Sequence, residues 1–413
     1  MQSKVKLVIR EAWRLPVGIG PAEHGVYKFS KLWLAATYRD SFWEVDPRTG
    51  RVICEFRMPG HVWGAPWVES DSLYGASLGG YVRRFSLEGT PLWTINPGLG
   101  DFIAESITEA WGRYLAVQFK NGIAILEKDK GRVLWRDAWT PEVAAGQEPT
   151  YDRENSLLWV CKPTRKQNLV AYAKDGDRVF SLTLPSYPTN YACPQIWSEY
   201  LVVVCSRHVA VIKRDEGALL WYKDYGTAWY GGKEVDALMG GPRTLTPDGK
   251  LIVWTANGLF QCLDVTSGES LWKVDLASLG YASSSCTAPW GYAGGVAADG
   301  IFLILGRNNL PAGSGTPYDI DKNRLLIIDY DKGIIVGSSD PIYLMACCCK
   351  PIVARGRVVI GSWFKDSKNN PYEAYYYCWE ISAPGREPED KEYEWMGGLH
   401  HGGYCVGCLL GSS

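Results

Sequence analysis

A glycine returns repeatedly four residues ahead of a large apolar residue. The spacing occurs in GTPLW ending at Trp93, GRVLW at Trp135, GDRVF at Phe180, GALLW at Trp221 and GESLW at Trp272. Weaker copies are GRVIC ending at Cys54 and GIIVG ending at Gly337. A unit repeated at this interval cannot bury its apolar face alone. It must stack on copies of itself, which commits the chain to a circular or stacked architecture. The local grammar is that of a hairpin. An apolar strand such as GLFQCLDV (258–265) leads into a short polar turn, and a strand carrying Leu and Trp follows. Gly supplies the positive φ of a tight turn. The Asp or Thr ahead of it, as in LDVTSGESLW (263–272) and VDPRTGRVIC (45–54), can hydrogen-bond the turn backbone. Trp93, Trp135, Trp221 and Trp272 are therefore expected to dock between neighbouring sheets, largely buried.

A second periodic element sets the number of units. Short strands rich in Leu and Val begin near residues 32, 73, 115, 157, 201, 251, 302 and 358, at intervals of 41, 42, 42, 44, 50, 51 and 56. Eight such strands read as eight four-stranded antiparallel blades of an all-β propeller. Seven blades is the alternative, because the eighth glycine turn is poor. One toroidal domain then spans residues 1–413, although 413 residues would otherwise suggest two domains. The aromatic content of 13% is high, and sheet-on-sheet packing accounts for most of it. A formal net charge of −2 gives no electrostatic case for nucleic acid or for an acidic membrane surface.

The N-terminal segment IREAWRLPVG (9–18) runs much like VICEFRMPG (52–60). Residues 1–18 are accordingly expected to supply the outer strand of the last blade and close the ring; KEYEWM (391–396) competes for that place. No apolar h-region precedes the first strand and no stretch approaches a membrane span. The expected compartment is the cytoplasm, with an extracytoplasmic site left open.

The glycine–tryptophan repeat resembles that of the quinoprotein dehydrogenase-like propellers, whose consensus is roughly Ala-x-Asp-x-x-Thr-Gly-x-x-x-Trp. Segments 263–272 and 45–54 carry the resemblance best, and as architecture it covers nearly the whole chain. It implies an eight-bladed PQQ-like fold. Members include alcohol and sugar dehydrogenases that bind pyrroloquinoline quinone and calcium, and non-enzymatic scaffolds such as the lipoprotein of the outer-membrane protein assembly machinery. The family's quinone enzymes place a vicinal disulfide in an early blade. Here Cys347, Cys348 and Cys349 come late, and a calcium-binding triad is not evident, so quinone and calcium are not expected. The plainer reading of the triplet is a strand of small buried residues, and Cys161, Cys205, Cys262 and Cys378 read as core side chains.

The tail, 397–413, holds a metal-like set: His400, His401, Cys405 and Cys408. Imidazole and thiolate suit zinc or iron, but the His400–Cys405 spacing is too short for a standard finger. Simple packing of the tail over the ring is the plainer reading. Nucleophile triads, phosphate-cradling loops and paired catalytic carboxylates are not evident.

Loop length is the better functional clue. In a propeller, turns from second to third strand share a face with the connections between blades. The long segments, including 136–152, 222–241, 273–286, 306–323 and 363–373, fall there. Insertions gathered on one face of a repeat protein mark its binding surface. Trp139, Trp229, Tyr230 and Tyr281 lie in these segments and are the binding-face candidates, each with the alternative of capping a blade end. The favoured expectation is a non-catalytic scaffold that binds a protein partner. A quinone- or thiol-dependent oxidoreductase and a glycan-binding protein are the alternatives, and oligomeric state is left open.

Overall fold

A computed structural model describes residues 8–382 apart from 20–21, 63, 103, 105, 144–147, 189–192, 231–232, 239–242, 277, 280–294, 299–300, 307–323, 340–350, 355–356 and 362–372. The fold is an all-β propeller of four-stranded antiparallel blades. Blade 1 consists of Ala22–Lys28, Lys31–Ala36, Ser41–Val45 and Val52–Arg57. Blade 2 consists of Trp67–Val68, Ser72–Ala76, Val82–Ser86 and Pro91–Ile95. Blade 3 has Thr108–Ala110, Tyr114–Phe119, Gly122–Glu127 and Val133–Ala138. Blade 4 has Thr150–Asp152, Leu157–Cys161, Leu169–Tyr172 and Arg178–Leu182. Blade 5 is Gln195–Trp197, Tyr200–Val204, His208–Lys213 and Ala218–Asp224. Blade 6 is Arg243–Leu245, Lys250–Trp254, Leu259–Asp264 and Ser270–Asp275. Blade 7 is Gly295–Ala298, Ile301–Gly306, Arg324–Asp329 and Ile334–Ser338.

These seven blades are each made of four consecutive strands. The remaining four-stranded sheet is composite: Ile352–Ala354, Arg357–Gly361 and Glu373–Ser382 pair in order, and Val8–Ile19 from the other end of the chain adds the outer strand. The count of seven thus describes the continuous blades, and a count of eight is reached only with this sheet. Its closing ladder runs from Val8 opposite Ser382 to Ile19 opposite Glu373, with two register shifts. The competing segment 391–396 lies outside the described residues.

The burial of each strand follows from its place in a blade. Second and third strands are sandwiched between neighbouring blades, so both faces are apolar: Leu157–Cys161 and Gly122–Glu127 are buried throughout. Outer strands lie at the rim and alternate, as in Val133–Ala138, where every other residue is exposed. First strands line the centre and touch one another around the ring, blade 3 with 4, 6 with 7 and the composite sheet with blade 1. Cys161 is buried in a second strand, Cys262 in a third strand and Cys378 in Glu373–Ser382, and Cys205 is buried just past the second strand Tyr200–Val204.

The glycine turn joins third to outer strand. Gly131 has φ +65°, and its N–H donates to Glu127 O at 2.8 Å. Beside it the ladder slips by one residue between Ile125 and Leu126. The same slip recurs in blades 1, 2, 4, 5, 6 and 7. A bulge next to a left-handed glycine increases the local twist, which re-aims the outer strand.

Candidate interaction face

The outer strands hold the blades to one another through a repeated contact. The Trp93 indole lies against Gly131 of the next blade; a methyl on that glycine would meet the ring at 2.7 Å. Its Nε1 donates to Lys128 O at 2.8 Å. Trp135 does the same with Gly176 and Lys174 O, Trp221 with Gly268 and Val265 O, and Trp272 with Gly333 and Tyr330 O. In blade 4 Phe180 fills the place against Gly217, without a donor. Sequence spacing placed these four tryptophans, but not their exposure. They are half-buried rather than largely buried, because an outer strand offers its docking ring only one neighbour and the rim leaves the other side to water. Among the described residues, the fully buried indoles are Trp33, Trp159 and Trp254, all in second strands.

The spacing also missed members of the set. Trp13, in the N-terminal strand, packs on Gly50 and donates to Pro47 O at 2.9 Å, docking the composite sheet onto blade 1. Trp197, ending a first strand, packs on Gly249 and donates to Pro247 O at 2.7 Å. Neither follows a glycine at the repeat interval. Their signal is the indole itself, placed one period ahead of a turn.

Outer-strand packing continues into polar clusters. Asp137 of blade 3 accepts from the Tyr172 hydroxyl at 2.5 Å and from Arg178 at 3.0 Å, with Lys162 Nζ at 3.5 Å, all from blade 4. Burial alone would raise its carboxyl, but the Tyr172 hydrogen bond and the charges of Lys162 and Arg178 outweigh it and hold it below its usual range. Burial, reinforced by that carboxylate, pushes the Tyr172 phenol well up. The result is an electrostatic joint between blades.

The four binding-face candidates separate. Trp139 is half-buried; its Nε1 donates to Lys120 O at 3.2 Å, and Lys162 Nζ sits 5.1 Å from the ring centroid. Its N–H and one face of its ring are thus engaged within the chain. Trp229 is 53% exposed. Tyr230 pairs through its backbone with Lys233. Both belong to a two-stranded hairpin, Thr227–Tyr230 with Lys233–Asp236, inserted between blades 5 and 6, so the segment is ordered strand where a loop was expected. Ala228 on its inner side packs with Ala237 and with Ala256 of blade 6. Tyr281, the tail residues His400, His401, Cys405 and Cys408, and the Cys347–Cys349 triplet lie outside the described residues.

The candidate face is thus the one bearing the second-to-third-strand turns and the blade-to-blade connections, hairpin included. Among the described residues, no group of three or more His, Cys, Asp or Glu is arranged to hold a metal ion, and no helix is long and apolar enough to cross a membrane.

Fold and blade packing define a PQQ-like β-propeller. The family model described as outer membrane protein assembly factor BamB matches residues 10–138 and 205–309, more than half of the sequence, and the chain belongs to that family. No curated protein matches the sequence. Among solved structures, BamB from Moraxella catarrhalis superposes with a TM-score of 0.62 at 12% identity, over 92% of this chain and 100% of that one. A europium-containing methanol dehydrogenase gives 0.65 at 12% identity, over 90% and 93%. The quinohemoprotein alcohol dehydrogenase from Comamonas testosteroni gives 0.64 at 11%, over 92% and 78%. At such identities these likenesses speak for the fold alone.

Proposed function

We propose that the chain is a protein-interaction scaffold that receives its partner on the long-connection face and requires no cofactor to do so. The observation that carries this reading is the hairpin between blades 5 and 6. It is added outside the blade repeat, it is anchored through Ala228, and it leaves the Trp229 indole 53% exposed. Exposed indoles on an ordered element suit the centre of an interface, where truncation typically costs about 2 kcal/mol or more. Membership of a family described as an assembly factor supports the same reading.

The test is affinity capture on immobilised protein, comparing wild type, Trp229→Ala and Leu92→Ala; Leu92 is exposed on an outer strand, away from this face. Trp229→Ala should weaken partner binding about thirtyfold with an unchanged melting temperature, and Leu92→Ala should bind normally. Equal capture by Trp229→Ala would overturn the assignment of the face. Dye reduction by protein supplied with quinone, calcium and an alcohol would favour the oxidoreductase alternative instead.

A further inference from the structure

Both faces of the propeller carry cations held by carboxylates, including Lys162 and Arg178 by Asp137 and Arg207 by Asp224 on the long-connection face. On the face of the short hairpin turns, Lys128 is held by Glu69 and Glu109, Arg214 by Asp152 and Glu154, and Lys250 by Asp248 and Asp331. Arg132, Lys213 and Lys332 there have carboxylate partners as well. On the long-connection face of blades 3 and 4, Lys120, Arg136, Arg165 and Lys166 are all exposed. None of these four forms an ion pair with a described residue. Arg136 donates to Pro97 O at 2.8 Å, and Arg165 lies 5.8 Å from the Tyr187 ring centroid.

The four cations share one surface. Lys120 N donates to Asp101 O, and Lys120 O accepts the Trp139 indole. Lys162 covers that indole, and the next residue, Pro163, accepts from Glu142 N. The Glu142 carboxylate accepts from Arg165 N at 2.7 Å, and Lys166 follows in the same turn. Asp101 and Glu142 are set among them, and Asp137 is held by Lys162 and Arg178, so the patch is positive on a chain whose formal net charge is −2.

We infer that this patch docks an acidic, extended segment of a protein partner. The inference rests on the scaffold reading and names the chemistry of what the scaffold holds. Unpaired cations keep their full attraction for incoming carboxylates, and such complementarity sets partner choice and approach. A nucleic acid fits less well. The one indole in the patch has its ring covered by Lys162 and its N–H engaged, which leaves no stacking platform.

The test uses the full chain and fluorescence anisotropy with a labelled deca-glutamate peptide. The parallel probes are a single-stranded DNA 20-mer and vesicles of phosphatidylcholine with phosphatidylserine. The acidic peptide should bind, and raising the salt from about 0.05 to 0.3 M should weaken it about tenfold. Combining K120E, R165E and K166E should weaken it at least about tenfold, and K166E alone should give a smaller loss in the same direction. Matching circular dichroism and melting temperature would exclude misfolding, and Trp229→Ala should leave peptide binding unchanged. No peptide binding, binding that survives the triple reversal, or tighter binding to DNA or vesicles would each overturn the inference. A native partner that the triple variant captures as well as wild type would also overturn it while leaving the scaffold reading standing; loss of that partner with Trp229→Ala alone would say the same.

Discussion

Replacing Gly131 by Ala should be destabilising chiefly because of an indole in another blade. Gly131 holds φ +65°, where an L-alanine costs about 1 kcal/mol. The added methyl would also stand 2.7 Å from Trp93 Cδ2 and Cε3, so the ring must move. A buried Trp→Ala change costs about 3–5 kcal/mol. Trp93 is half-buried, which brings its whole docking contribution, with the hydrogen bond to Lys128 O, to about 2 kcal/mol. Displacing the ring forfeits much of that, and Gly131→Ala should cost about 2–3 kcal/mol in all. In a Trp93→Ala background the clash is gone and only the backbone strain, about 1 kcal/mol, should remain. The double variant should therefore fall short of additivity by about 1–2 kcal/mol, within the range of directly touching residues. Urea unfolding of the four proteins, with unchanged m, measures the cycle. If Gly131→Ala costs the same in both backgrounds, the indole does not rest on this glycine and the account of blade docking fails.

Asp137→Asn should cost about 2 kcal/mol at pH 7, because Lys162 and Arg178 lose their shared carboxylate. The lowered acid in the native state means that its stabilisation is complete above the unfolded value of about 4 and is lost as pH falls through the folded value. The variant should thus show a shallower acid limb in urea midpoints taken below about pH 4; a limb parallel to wild type would refute the joint. Deleting residues 1–19 removes the partner of Glu373–Ser382 and the Trp13 dock, and should yield aggregation from the bared edge. A monomeric, equally stable truncation in light scattering and melting would contradict it. Burial pushes the Cys205 and Cys262 thiols up to about 12 and Cys161 and Cys378 well above the usual range. Native iodoacetamide labelling mapped by mass spectrometry should therefore modify half-buried Cys54 faster than any of these four, and comparable labelling would show that the blades open readily.

What the sequence revealed, and what it hid, divides along the line between backbone requirement and side-chain circumstance. A left-handed turn residue must be glycine or strained, so Gly50, Gly131, Gly268 and Gly333 announced the third-to-outer hairpins from spacing alone. A strand buried on both faces must be apolar throughout, so the marker strands announced the second strand of every blade. The inner strands carried a signal too, in the proline one residue ahead of Trp67, Thr150, Gln195 and Ile352. Its use appears only in space: Thr108 donates to Pro149 O at 2.8 Å and Thr150 to Pro194 O, each reaching the next blade. Proline has no N–H to offer the ladder but keeps its carbonyl, which suits a point where one blade must bind another. Aromatic residues in connections carried no such constraint. Trp139 and Trp229 look alike in sequence, yet one spends its ring and its N–H on Lys162 and Lys120 and the other stands half in water. The difference depends on what the fold places opposite, here Lys120 in the second-to-third turn of the same blade and Lys162 in the next blade. Periodicity therefore locates the scaffold and is silent about the partner. Side chains that stand outside the repeat and form no ion pair with a described residue, such as Lys120, Arg165 and Lys166, together with the exposed Trp229, are where the search for that partner begins.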